Sequence, residues 1–166
     1  YTVSKKNEDE FRITVKRDDG VGSQAIHNLK PNQKILMSGP FGNATIRQSS
    51  RALFLLSAGI GITPSVSKLQ GLIDANYDKP VNLIHVARSK RDLALWSEVI
   101  ELSKQLPHVK PRLYLTKEKD CTNDFIAGRP NLQKISSEIE ETESDLHICG
   151  PNQFTNEIVD MLTDKT

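Results

Sequence analysis

A chain of 166 residues with 37% hydrophobic side chains has room for one domain, or one domain and part of another, around a real core. Its 22 basic and 21 acidic residues nearly cancel, which argues against nucleic acid as a partner, and no apolar run approaches the roughly 20 residues needed for membrane insertion. Cys121 and Cys149 give neither a disulfide framework nor metal-finger spacing, so no metal site is expected and a reducing, cytoplasmic setting is the expectation.

The first region, residues 1–46, has antiparallel β character. Residues 11–16 alternate apolar and polar side chains with the period of a half-buried strand. Asp18, Asp19 and Gly20 make a turn, residues 23–29 suit one or two helical turns, and residues 34–38 read as a further short strand before Gly39, Pro40 and Gly42. A polar break at residues 47–51 then opens a second region, 47–166, where the pattern changes. Apolar runs at 53–56, 81–86, 113–115 and 146–148 alternate with amphipathic stretches at 64–75, 93–106, 132–139 and 152–162. Such alternation predicts βαβ units and an α/β fold with a doubly wound parallel sheet.

In such a sheet ligands bind beyond the carboxyl ends of the strands. At the first of these ends stands Ala58-Gly59-Ile60-Gly61-Ile62-Thr63-Pro64. Glycines without a Cβ let the backbone turn tightly and approach a ligand, Thr63 suits an N-cap, and Pro64 suits the first helical position. The helix dipole beyond it favours a phosphate, although a plain strand–turn–helix connection has the same look. Cys149-Gly150-Pro151 repeats the arrangement at a later strand end, where a helix N-terminus would lower the thiol pKa of Cys149 and where an inert buried cysteine is equally at home. Arg88-Ser89-Lys90-Arg91 follows the second strand, placed either to touch an adenosine ribose or its 2′-phosphate or simply to solvate a surface. Gly20-Val21-Gly22-Ser23 could form a small anion nest and is also good turn chemistry. His85 and His147 fall inside strands and read as core residues rather than catalysts.

Taken together, the 58–64 turn and Cys149-Gly150-Pro151 resemble the ferredoxin–NADP reductase superfamily, and within it the reductase modules of flavohaemoglobins, flavodoxin reductases and oxygenase reductases. Tyr1-Thr2 looks like the tail of that family's Arg-x-Tyr-Ser/Thr flavin motif, Val15-Lys16-Arg17 and residues 20–23 fall at its second flavin segment and phosphate turn, and His85-Val86-Ala87-Arg88 resembles its second nucleotide strand. The resemblance implies that residues 1–46 are the C-terminal part of a flavin-binding β-barrel and 47–166 an NAD(P)-binding domain. It also implies roles. Tyr1 would lie against the flavin, Thr2 would hydrogen-bond near its reactive nitrogen, Val15 and Lys16 would line its site, and Gly22 and Ser23 would hold its phosphate. Gly59, Gly61, Thr63 and Pro64 would seat the pyridine nucleotide, with Cys149, Gly150 and Pro151 near the nicotinamide and Arg88 toward the adenosine. The family's barrel starts well before the position of Tyr1, and it often closes with a strand ending in an acidic and an aromatic residue. Neither element is present in this sequence, so the chain reads as the C-terminal part of a longer reductase.

The expected function is that of an NAD(P)H-dependent flavin oxidoreductase. It would use NADH or NADPH with FAD or FMN and pass electrons to an acceptor protein or domain: haem, an iron–sulfur centre or flavodoxin. The alternative is a nucleotide-binding regulatory or electron-transfer module without turnover of its own.

Overall fold

The computed structural model describes residues 1–39, 41–42 and 51–163. The expected domain boundary at 46/47, Pro40, the polar stretch before Arg51 and the last three residues lie outside the described residues. The chain opens with an antiparallel pair, β1 (Val3–Lys6) and β2 (Phe11–Ile13), followed by the short helix α1 (Val21–His27). Register shifts at Ser4, leaving a bulge in β1. The pair is the portion of the expected barrel visible among the described residues.

From Leu53 onward the chain alternates strand and helix: β3 (Leu53–Ala58), α2 (Ile62–Asp74), β4 (Val81–Ala87), α3 (Trp96–Ser103), β5 (Val109–Leu115), β6 (Ile126–Ala127), α4 (Leu132–Glu141), β7 (Asp145–Cys149) and α5 (Asn152–Thr163). The sheet runs β6-β5-β4-β3-β7 with every pair parallel. Chain order therefore reverses between β3 and β7, a topological switch point of the kind where α/β proteins hold ligands.

The sequence of β3 accounts for both faces of the sheet. Leu53 and Leu55 point to one side, into a core with Val66 and Leu69 of α2 and Val99 of α3. Phe54 and Leu56 point to the other, against Ile135 and Ile139 of α4 and Ile158 of α5. Strands buried on both faces read as continuous apolar runs, and the doubly wound expectation is borne out. A third cluster, around Leu113, Leu115 and Phe125, closes the β5 side. Arg112 on β5 reaches Glu138 on α4 through two hydrogen bonds, at 3.2 and 2.7 Å, and ties helix to sheet.

Several elements differ from the sequence reading. Strand β2 ends at Ile13 rather than at Lys16, because residues 14–16 leave the pairing and turn to a cleft. Residues 34–38 form no strand. Ile35, Leu36 and Met37 are exposed, with no neighbouring strand among the described residues to hydrogen-bond them. Strand β5 starts earlier than expected. Pro111 hid its first half, yet it is tolerated where only β4 pairs and β6 does not reach. The helix expected over 93–106 is shorter because Leu95 takes a left-handed φ of 56° and one 3-10 turn, Lys90–Asp92, stands before it.

Candidate functional site

Two turns meet at the switch point. Gly59 leaves β3 with a φ of +54°, a left-handed conformation that side chains rarely adopt, and nothing crowds its missing Cβ. Gly61 is required for a different reason. A Cβ there would overlap the carbonyl oxygen of Cys149 and lie 2.9 Å from the nitrogen of Gly150. Gly150 in turn leaves room for Phe154 and Ala58, since its own Cβ would stand 2.8 Å from the Phe154 ring. Gly61 and Gly150 thus pack one turn on the other, and the N-termini of α2 and α5 open side by side at the strand ends.

The first turn differs in detail from expectation. A 3-10 turn, Gly59–Gly61, precedes α2, and Gly61 is the N-cap. Thr63 does not cap. Its side chain is almost fully buried and its hydroxyl donates to the Ile60 carbonyl at 3.2 Å. Pro64 falls in the first turn of the helix, where its missing N–H costs nothing.

Beyond these ends lies a cleft of about 710 Å³, within the size range of small-molecule and cofactor sites. Ala58, Gly59 and Ile60 line it from β3, Val86 to Arg88 from β4, Thr116 after β5, and Pro151, Gln153, Phe154 and Glu157 from α5. Thr14, Val15 and Lys16 form a further wall, and Asp92, Leu93 and Ala94 complete it before α3. Three arginines, Arg88, Arg91 and Arg129, are among the residues lining this cleft. Lys90 does not join them: its ammonium sits 5.0 Å above the Phe125 ring. Arg129 and Thr116 are not singled out from sequence, and Phe154, which the sequence reads as part of a core-facing helical stripe, packs on the core and also lines the cleft. Arg129 sits in a Gly-Arg-Pro loop with no periodic signal, and only the short strand β6 brings it to the cleft.

Of the residues named from sequence, Val15, Lys16, Gly59, Arg88 and Pro151 line this cleft. Cys149 and Pro64 do not. They line a smaller cavity of about 140 Å³ on the α2 side, with Ser65, Lys68 and His147. The thiol is not activated by the neighbouring helix. Burial pushes the Cys149 pKa up, so the group is a neutral thiol at pH 7; of the two alternatives, the inert buried cysteine holds and the lowered pKa does not. His147 beside it is held below its ordinary pKa by burial and then by the Lys68 charge. Gly61, Thr63 and Gly150 act within the packing of the turns.

The first-region residues stand apart. Tyr1 is 76% exposed, and Thr2 is half-buried at the start of the chain. Gly22 is exposed, and a Cβ there would meet the Tyr1 hydroxyl at 3.3 Å. Ser23 is turned inward. Its hydroxyl donates to the Lys16 carbonyl at 2.9 Å and accepts from the Asp18 N–H at 3.0 Å, which ties α1 to the segment lining the cleft. His85 is fully buried, with Nδ1 2.9 Å from the Ser57 hydroxyl and its ring stacked on Trp96 at 5.8 Å. Among the described residues no cluster of histidine, cysteine and carboxylate side chains could hold a metal, and no helix is long and apolar enough to cross a membrane.

Residues 55–160 match the family described as the oxidoreductase NAD-binding domain. A flavohemoprotein of Deinococcus radiodurans is 30% identical over 162 residues, which cover 94% of this chain and 40% of the relative. Among solved structures, the flavohaem-like FAD/NAD binding domain of nitric oxide dioxygenase from Vibrio cholerae superposes with a TM-score of 0.81 at 26% identity, covering 99% of this chain and 70% of that one. A flavohaemoglobin from Malassezia yamatoensis with bound FAD and haem gives a TM-score of 0.80 at 27% identity over 99% of this chain and 43% of that one. The chain spans about two-fifths of the length of the curated relatives it matches.

Proposed function

The chain belongs to the oxidoreductase NAD-binding domain family, in the ferredoxin–NADP reductase superfamily, and from that premise we propose that it is the pyridine-nucleotide half of an NAD(P)H-dependent flavin oxidoreductase. The observation that carries this reading is the close contact of the two turns: Gly61 packed on the Cys149 carbonyl at one end of a cleft edged by Arg88, Arg91 and Arg129. Paired helix N-termini and three guanidinium groups suit a ligand carrying phosphates, and the apolar wall of Leu132 and Phe154 suits a flat ring. The residues present therefore fit a dinucleotide.

When bound, reduced nicotinamide supplies a hydride that a flavin accepts. The protein's part is orientation. Gly59 seats the diphosphate while Gly61 and Gly150 hold the two turns together behind it, Pro151 borders the nicotinamide end, and Arg88 with Arg129 faces the adenosine end. The Cys149 side chain, a neutral thiol facing the smaller cavity on the α2 side, is no covalent nucleophile. Val15 and Lys16 belong to the flavin-side wall, with Tyr1, Thr2, Gly22 and Ser23 behind it. Electrons then leave to an acceptor, and the flavohemoprotein relatives support a haem-type group in that place. A second reading, a nucleotide-binding module without turnover, is favoured by two observations. The Ser23 hydroxyl is bound to backbone and Tyr1 is exposed, so the flavin side is only partly formed among these residues.

Calorimetric titration of the complete protein with NADH and NADPH tests the cleft assignment. Arg129→Ala is expected to raise the Kd of the preferred nucleotide about tenfold, the loss of one charge-assisted hydrogen bond. An unchanged Kd for both nucleotides would remove Arg129 from the site, and no binding of either by the wild type would refute the reading.

A further inference from the structure

We infer that Arg12 and Glu98 form a latch that sets the spacing between the flavin-side wall and the nucleotide-side wall of the cleft, making both positioning residues for hydride transfer. This inference rests on the oxidoreductase reading above. Arg12 lies on β2 and Glu98 in the first turn of α3, in the two parts of the chain that the proposed reaction must align. The Arg12 Nη2 stands 2.9 Å from Glu98 Oε2 and donates to Oε1 at 3.0 Å. Its position is fixed from behind. Arg12 Nε donates to Ser4 Oγ at 3.0 Å, and Ser4 Oγ donates to the Arg12 carbonyl at 3.3 Å. Ser4 is the bulged residue of β1 and only 1% exposed, so the bulge serves to aim its hydroxyl at the arginine.

The latch sits directly beside both walls. Two residues after Arg12 the chain becomes Thr14, Val15 and Lys16, one wall of the cleft; five and four residues before Glu98 it is Leu93 and Ala94, part of the other. The Ser4 and Thr14 hydroxyls are 3.5 Å apart, at the limit of a hydrogen bond, so the same network ends on a cleft residue. With side chains 37% and 28% exposed, the ion pair adds little to stability. Its consequence is geometric. Hydride transfer is acutely sensitive to ring separation, and a displacement of about 1 Å at a reacting centre costs on the order of a hundredfold in rate.

The test uses the complete, flavin-loaded protein mixed with NADH without oxygen, following flavin absorbance in a stopped-flow instrument. Arg12→Gln and Glu98→Gln are expected to slow flavin reduction on the order of tenfold, while the NADH Kd and Tm stay close to wild type. The exchanged pair, Arg12→Glu with Glu98→Arg, is expected to recover most of the lost rate, which a merely structural role would not give. Wild-type rates in both single variants would overturn the latch and leave the oxidoreductase reading standing. So would a fall in rate matched by a fall in Tm, or by a weaker Kd, with no recovery in the exchanged pair. Failure of NADH to bleach the wild-type flavin would overturn the oxidoreductase reading itself, and the latch with it.

Discussion

His85 is a titratable ring placed where water does not reach, between Ser57 and Trp96. Burial pushes its pKa down to about 4 from 6.5, opposed in smaller part by the hydrogen bond to Ser57. The ring is therefore neutral in the folded protein, with Nδ1 satisfied and Nε2 without a partner among the described residues. Because the unfolded chain takes up the proton first, stability is full above pH 6.5 and declines as pH falls from 6.5 toward 4. Between pH 7 and pH 5 this one ring accounts for about 2 kcal/mol. Urea unfolding at the two pH values checks it. The loss in wild type should exceed that in His85→Gln by about this amount, and equal losses would contradict the assignment. The sequence reading placed His85 in the core correctly because a strand with neighbours on both sides leaves no solvent face. For Cys149 the sequence leaves two alternatives, because a nearby helix N-terminus is visible in sequence while the depth of burial is not; burial dominates, and the inert thiol is the one the structure bears out.

At the scale of elements, the two turns at the switch point are a single packed unit. Gly61→Ala must push the α2 start away from the backbone of Cys149 and Gly150, which no rotamer change can relieve. Loss of stability should be about 3 kcal/mol. Gly59→Ala meets no atom but must hold a φ of +54°, a loss of about 1 kcal/mol. Thermal or urea unfolding of the two variants checks the order, and a Gly59 variant more damaging than the Gly61 one would contradict it. The glycines themselves were legible as a motif. Their division of labour was not, since it depends on which backbone lies opposite. The same limit explains other elements. Continuous apolar runs made β3 and β4 readable, whereas Pro111 masked the start of β5 and the left-handed Leu95 cut short an otherwise amphipathic helix. The stretch 34–38 has a strand's composition without a partner to pair with among the described residues.

Across the whole molecule, a doubly wound sheet holds a cleft at its switch point, and an antiparallel pair leans against α2 and α3 to supply the remaining wall. The paired Gly-rich turns carried most of this placement in the sequence, because each stands at a strand end that the alternation of strand and helix locates. The convergence of Arg129 with Arg88 and Arg91 was not readable, as it follows from a two-residue strand and the loop after it. On the function proposed above, this arrangement orients a pyridine nucleotide toward a flavin on the other wall. The measurement that bears on this most directly is anaerobic addition of NADH or NADPH to the complete protein in its flavin-loaded form, read at the flavin absorbance band. The account predicts rapid bleaching by at least one of the two nucleotides. A protein that binds the nucleotide yet keeps its oxidised flavin spectrum, or that carries no flavin at all, would contradict it.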